Sequence, residues 1–284
     1  MSRVLVIGDC AEVSLAIGAA LRKAGITVEY AAGNADALVR LRNRSFGAVI
    51  SCPDSPIAED LALLEEMRRI QSCVKLIVLA PQSTPEEVIA ALRARVFACF
   101  TPPFDPAEIA DLAGEAASDG ESRDDIQVAS ARPGWVTVHV SCRLTNADRL
   151  MTFAKNLAAQ LPEAALQDMM HAFREILVNA MEHGAAFDPG KIVEVTAVRT
   201  ARSFVFYVRD PGAGFRPDSL SHAAISNPSD DPAAHARLRD EQGMRPGGYG
   251  LLLASGTVDE LIYSEIGNEV LLIKYTDSGL AANR

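Results

Sequence analysis

The chain has 284 residues, 49% of them hydrophobic and 23% charged, which excludes a disordered or low-complexity polymer and leaves apolar material for two cores. Its formal charge of −10 comes without any block of like charge, which argues against a general nucleic-acid binder. The five cysteines include no Cys-x-x-Cys pair and read as small buried hydrophobes of a reducing compartment. No run approaches the roughly 18 apolar residues of a membrane span. Met1-Ser2-Arg3 leads straight into a strand, so the expectation is a cytoplasmic protein with no membrane part.

Val4-Leu5-Val6-Ile7 is a continuous apolar run closed by Gly8-Asp9, the mark of a strand buried on both faces of a parallel sheet. A helix follows over about 12–24, then the strand Ile26–Tyr30, a helix near 34–44 and the strand Ala48–Ser51. A helix near 58–70, the strand Leu76–Leu79, a helix near 85–94, the strand Phe97–Phe100 and a helix near 106–117 complete the series. Five strand–helix repeats predict a flavodoxin-like α/β domain over 1–117, a doubly wound five-stranded parallel sheet. The stretch Ser118–Asp125 has no apolar residue, and 118–132 reads as a linker.

From residue 133 to 284 the pattern changes. Val136–Val140 alternates as a half-buried strand, and helices are predicted near 146–160 and 163–183. Strands near 192–199, 203–209 and 269–275, with a further helix and strand over about 248–264, make a second domain. It is an α+β sandwich with helices on one face of a largely antiparallel sheet. Between Phe215 and Pro246 lies a segment rich in Ser, Asp, Asn, Pro and Ala, whose length suggests a lid.

Residues 3–117 resemble the receiver domain of response regulators, although the chemistry of that family is largely missing. Asp9 keeps one acidic metal ligand, but Cys10 stands beside it, and Cys52 occupies the place of the phosphoacceptor Asp. Ala80 replaces the switch hydroxyl, and Pro102 replaces the Lys. Phosphoryl transfer to a carboxylate needs the carboxylate, a metal and a neutralising cation, so no aspartyl phosphorylation is expected. Asp54 could be offered as a substitute acceptor and Cys52 as a redox sensor; a partner-binding or dimerising domain is the preferred reading.

The strongest signal is Phe173-Arg174-Glu175-Ile176-Leu177-Val178-Asn179-Ala180-Met181-Glu182-His183-Gly184. Helical spacing puts Glu175 and Asn179 on one face, with His183 another turn along. Such an Asn can give its carbonyl oxygen to a Mg²⁺ ion that keeps waters and phosphate oxygens, and such a Glu can act as a general base. Alone, the pair reads better as a solvated helix face. Two further pieces sharpen it. Asp210-Pro211-Gly212-Ala213-Gly214 follows the strand Phe204–Arg209; a carboxylate there can accept from an exocyclic amine, and glycines let backbone approach a flat ring. Arg245-Pro246-Gly247-Gly248-Tyr249-Gly250-Leu251 is a glycine-rich turn entering an apolar helix, whose backbone N–H groups attract phosphates.

These three segments resemble the nucleotide-binding boxes of the GHKL (Bergerat-type) ATPases, and within them the anti-sigma-factor serine kinases. The resemblance covers roughly 134–276 and implies ATP and Mg²⁺. It makes Glu175 the catalytic base, Asn179 the Mg²⁺ ligand and Asp210 the partner of the adenine amine. Gly212 and Gly214 would shape the adenine pocket, Gly248, Tyr249, Gly250 and Leu251 the phosphate cradle, and His183 would close the first box. Arg245 is the preferred cation for the γ-phosphate over Arg237 and Arg239. The implied activity is phosphorylation of a Ser or Thr on a small anti-anti-sigma-like protein. A sigma factor would be a second partner, and a homodimer is expected.

His171 stands four residues before Glu175 on the same helix, where the phosphoacceptor of a sensor histidine kinase would not lie, and it is read as a packed or surface residue. His222 and His235 lack metal-ligand spacing. Two rivals remain: a partner-sequestering binding module without catalysis, and a simple ATP hydrolase.

Overall fold

The computed structural model describes residues 3–8, 12–51, 53–118, 125–214, 231, 237, 241 and 250–276. The described chain divides into two compact units: Met1–Gln127 with Asp148–Leu157, and Val128–Ala147 with Ala158–Arg284.

In the first unit β1 (Arg3–Ile7), β2 (Thr27–Ala31), β3 (Ala48–Ile50), β4 (Lys75–Leu79) and β5 (Ala98–Phe100) form a parallel sheet in the order β2-β1-β3-β4-β5. Helices α1 (Glu12–Lys23), α2 (Asn34–Asn43), α3 (Ile57–Ile70), α4 (Pro85–Arg93) and α5 (Pro106–Ser118) alternate with the strands. The apolar runs do what their composition requires: Val4, Leu5, Val6, Leu76, Ile77, Val78 and Leu79 are all fully buried, because both faces of the sheet are covered. One core joins Val4, Val6, Ala48, Ile50, Ile77 and Leu79 to Ile17 and Leu21 of α1 and to Ile109 and Ala113 of α5. Local signals set the helix ends. At α4, Thr84 accepts from the Glu87 N–H (3.2 Å) while the Glu87 carboxylate accepts from the Thr84 N–H (2.8 Å), a capping box with Pro85 as the first helical residue.

The outer strand β5 is closed by side chains of α6 (Leu144–Leu157). Arg149 Nε donates to Phe97 O (2.9 Å), the Cys99 N–H donates to Thr152 Oγ1 (3.1 Å), and Asn156 Nδ2 donates to Cys99 O (2.9 Å). Asn156 Oδ1 also accepts from Thr101 Oγ1 (2.8 Å) and Ser83 Oγ (3.1 Å). Arg149, Thr152 and Asn156 are buried and satisfied, so an edge that would otherwise leave ladder groups open is paired.

In the second unit the sheet order is β10-β11-β9-β8-β7-β6: β6 (Ile126–Arg132), β7 (Trp135–Ser141), β8 (Ile192–Arg199), β9 (Ser203–Arg209), β10 (Glu260–Tyr263) and β11 (Glu269–Tyr275). The pairs β7–β8, β8–β9, β9–β11 and β10–β11 are antiparallel. Period-two alternation builds the core face: Val138, Val195, Val208 and Val270 stand in one cross-strand row, and Val136, Ala197, Phe206 and Leu272 in the next, all buried. Helix α7 (Glu163–Asn179) lies on that face, its Phe173 ring stacked on Phe206 with centroids 3.9 Å apart. Helix α8 (Gly250–Thr257) packs beside α7.

Two expectations are corrected. Ile126–Arg132, placed in the linker from sequence, is a strand at the end of the six-stranded sheet, joined to β7 through Pro133 and Gly134 (φ 73°). Gln127, Ala129, Ser130 and Arg132 are exposed, as an edge strand permits, and the alternation begun at Ile126-Gln127-Val128 is not sustained. The helix expected over 163–183 keeps α-helical hydrogen bonding only to Asn179; Ala180–Gly184 is a single turn of π-helix. No helix among the described residues is long and apolar enough to cross a membrane.

Candidate functional site

Met169, Ala172, Phe173, Ile176 and Leu177 form the buried stripe of α7, continued by Ala180 and Met181. That stripe fixes the rotation of the helix and turns Glu175 and Asn179, one turn apart, onto a half-buried flank. Opposite Glu175 begins α8. A Cβ placed on Gly250 would collide with Glu175 Oε2, so the carboxylate lies directly against the Gly250 Cα. Leu251 and Ala254 bury the inner side of α8. Lys274 Nζ donates to Thr257 O (2.6 Å) at the end of α8 and to Asp168 Oδ2 (3.2 Å) on α7, tying both helices to β11.

The second carboxylate is Asp210, just past β9. Its N–H donates to Asn268 O (3.0 Å), and Asn268 Nδ2 donates back to Asp210 O (3.4 Å). Its Oδ1 accepts from the Gly212 N–H (2.7 Å). Burial pushes the Asp210 carboxyl above the ordinary aspartate value, and the Gly212 N–H works against that shift. Gly184, the last residue of the π turn, faces it, and a Cβ there would meet Asp210 Cβ at 2.5 Å. Gly214 has φ 79°, and a Cβ on it would fall 2.8 Å from the Ile266 carbonyl carbon, so this turn needs glycine both for space and for backbone conformation.

Of the predicted residues, the structure brings Glu175 to Gly250 and Asp210 to Gly212, with Asn179 one turn beyond Glu175. His183 lies exposed within the π turn, which breaks the α-helical phase that put it in line with Glu175 and Asn179. His171 is exposed on α7. Arg237 pairs with Asp231. Arg245, Gly248, Tyr249, Arg239, His222 and His235 lie outside the described residues, as do Asp9, Cys10 and Cys52. Sequence reasoning missed Gly184, Asn268 and Lys274 as parts of this site. Gly184 ends the quoted first box, and only its approach to Asp210 reveals what it does.

Three of the positions weighed for the first unit are described. Ala80 is fully buried, Pro102 precedes Pro103 through a cis peptide bond, and Asp54 is exposed. Burial pushes the Cys99 thiol up to about 12.

A carboxylate lying on a glycine at a helix start, and another held between two glycines after a strand, is the layout expected of a nucleotide pocket. Residues 140–274 match the family model of the histidine kinase-like ATPase domain. This match supports ATP binding and an ATP-using activity for the second unit. No curated protein sequence matches the chain. Among solved structures, a CheY-like receiver domain protein from Methanospirillum hungatei is 21% identical, with 42% of this chain and 96% of that chain covered at a TM-score of 0.37. A response regulator from Thermotoga maritima is 20% identical, covering 42% of this chain and 100% of that one, TM-score 0.37. The chemotaxis protein CheY4 of Vibrio cholerae is 20% identical over 41% of this chain and 98% of its own, also with a TM-score of 0.37.

Proposed function

We propose that the second unit binds Mg-ATP and transfers the γ-phosphoryl group to a Ser or Thr of a small partner protein, as the anti-sigma-factor kinases do. The observation that carries this reading is the contact between Glu175 and the Gly250 Cα: a base that touches the start of α8 stands beside a ready-made phosphate site. The donor set fits the ligand. Asn179 offers a neutral oxygen of the kind Mg²⁺ accepts alongside waters and phosphate oxygens, and Asp210 offers an acceptor for the adenine amine. When bound, Mg²⁺ supplies neutralisation of phosphate charge.

In the proposed reaction the partner's hydroxyl oxygen forms a bond to the γ-phosphorus as the bond to ADP breaks, and Glu175 takes the hydroxyl proton. Asp210, with one oxygen already held by the Gly212 N–H, orients the base. The partner would be an anti-anti-sigma-like protein, with a sigma factor as a second ligand and the protein acting in the cytoplasm as a homodimer. The acidic box residue supports a kinase over a binding module, since sequestration alone has no use for a base at position 175.

The test mixes full-length protein with labelled ATP, Mg²⁺ and candidate small partners. Phosphoserine or phosphothreonine on a partner, lost roughly 10²–10⁴-fold in Glu175→Ala with ATP affinity retained, is the expected result. Steady phosphate release with no phosphoprotein would instead identify a hydrolase, and partner capture without turnover a binding module.

A further inference from the structure

The π turn ending α7 places Gly184 where any other residue would strike Asp210. Gly184 does not owe its identity to backbone conformation, because its φ lies outside the left-handed region. The requirement is space. A Cβ there would meet Asp210 Oδ1, Cγ and, at 2.5 Å, Cβ. Rotating the aspartate side chain can move Oδ1 but leaves Cβ in place, and the Asp210 backbone is held on both sides by Asn268. The opposite wall is Gly212, whose own Cβ would lie 2.7 Å from Asp210 Oδ1 and 2.8 Å from the Gly184 Cα. The carboxylate therefore sits in a slot between two glycines, with Oδ1 fixed by one N–H.

We infer that Gly184 is a positioning residue: by admitting Asp210 into this slot it sets the orientation of the carboxylate and, through it, the preference for a purine nucleotide bearing an exocyclic amine. The inference rests on the ATP reading above. A carboxylate rewards that amine only when an oxygen lies along the N–H direction, and a displaced one forfeits the reward while leaving phosphate contacts untouched.

The full-length protein is titrated by calorimetry with ATP and with purine riboside triphosphate, which is ATP lacking only its exocyclic amine. The native protein should favour ATP by roughly tenfold to a hundredfold, the worth of a hydrogen bond to a charged group. Gly184→Ala should bring that ratio close to unity by weakening ATP, with the affinity for the amine-free analogue changed by about twofold or less. Asp210→Ala, which leaves no side-chain acceptor, is the second variant. If it abolishes the preference while Gly184→Ala keeps it, the role of Gly184 is overturned and the ATP reading stands. If Asp210→Ala also keeps the preference, the assignment of Asp210 itself fails. Should Gly184→Ala unfold, it is combined with Asp210→Gly, which removes both the carboxylate and the Cβ that the new methyl would strike. The pair should then be no less stable than Asp210→Gly alone, and a full additional penalty would overturn the slot.

Discussion

The two units bury carboxylates in opposite ways. In the first, Asp60 on α3 is fully buried with neither oxygen in a formed hydrogen bond, beside the hydroxyls of Ser51 and Ser55, and burial raises its pKa to about 6. In the second, Glu175 and Asp210 are only half-buried, and each lies against the Cα of a glycine from another segment. The first arrangement costs stability; the second spends side-chain volume, not charge, and leaves both carboxylates partly exposed.

The contrast is sharpest in catalysis. Glu175→Ala should remove phosphoryl transfer as described, while Asp54→Asn, on the exposed loop after β3, should leave transfer unchanged and yield no loss of acid-labile phosphate on incubation with acetyl phosphate. Labelling of the native chain that Asp54→Asn abolishes would instead assign phosphoryl acceptance to the first unit.

Asp60 comes next. Its folded pKa of about 6 lies above the ordinary aspartate value of 3.8, so its protonated form favours the fold. That stabilisation is fully present below the unfolded pKa and is lost as the pH rises through about 6. Asp60→Asn should therefore stabilise the first unit by about 3 kcal/mol at pH values well above neutrality, and the gain should vanish near the unfolded pKa. Urea unfolding across that range checks it; a gain independent of pH would mean that Asp60 does not titrate in place.

A smaller effect separates an edge strand of the first sheet from an interior strand of the second. Asn156→Ala removes partners from Cys99 O, Thr101 Oγ1 and Ser83 Oγ, and should destabilise the first unit by about 1–3 kcal/mol. Hydrogen exchange should quicken at β5 and not at β9, which has strand neighbours on both sides. The smallest effect is expected at Gly256 on α8, where a Cβ meets nothing within 4 Å. Gly256→Ala should stabilise by about 0.5–1 kcal/mol without altering nucleotide affinity, in contrast to glycines 184, 212 and 250.

Much of this was legible in the chain. Apolar runs and alternation located ten of the strands' neighbourhoods in order, from Val4–Ile7 to the strand over 269–275, because hydrophobic periodicity is written in windows of a few residues. The boxes around Glu175, Asp210 and Gly250 were visible for the same reason. Strand β6 was not, since an edge strand that fully buries only Ile126 has little apolar alternation to mark it. Nor was the π turn, whose Gly184 meets Asp210 from a distant segment of the chain.

By itself, then, the sequence determined the order and kind of the elements and which residues could do chemistry. Tertiary structure alone decided which glycines face a close neighbour, that α6 side chains close β5, and that Asp60 is buried without a hydrogen bond. The reason is distance along the chain: the Cα of Gly250 meets Glu175, and Gly184 meets Asp210, across segments that no local pattern compares. Whether a missing methyl is a convenience or a necessity is settled only when the opposing atoms arrive.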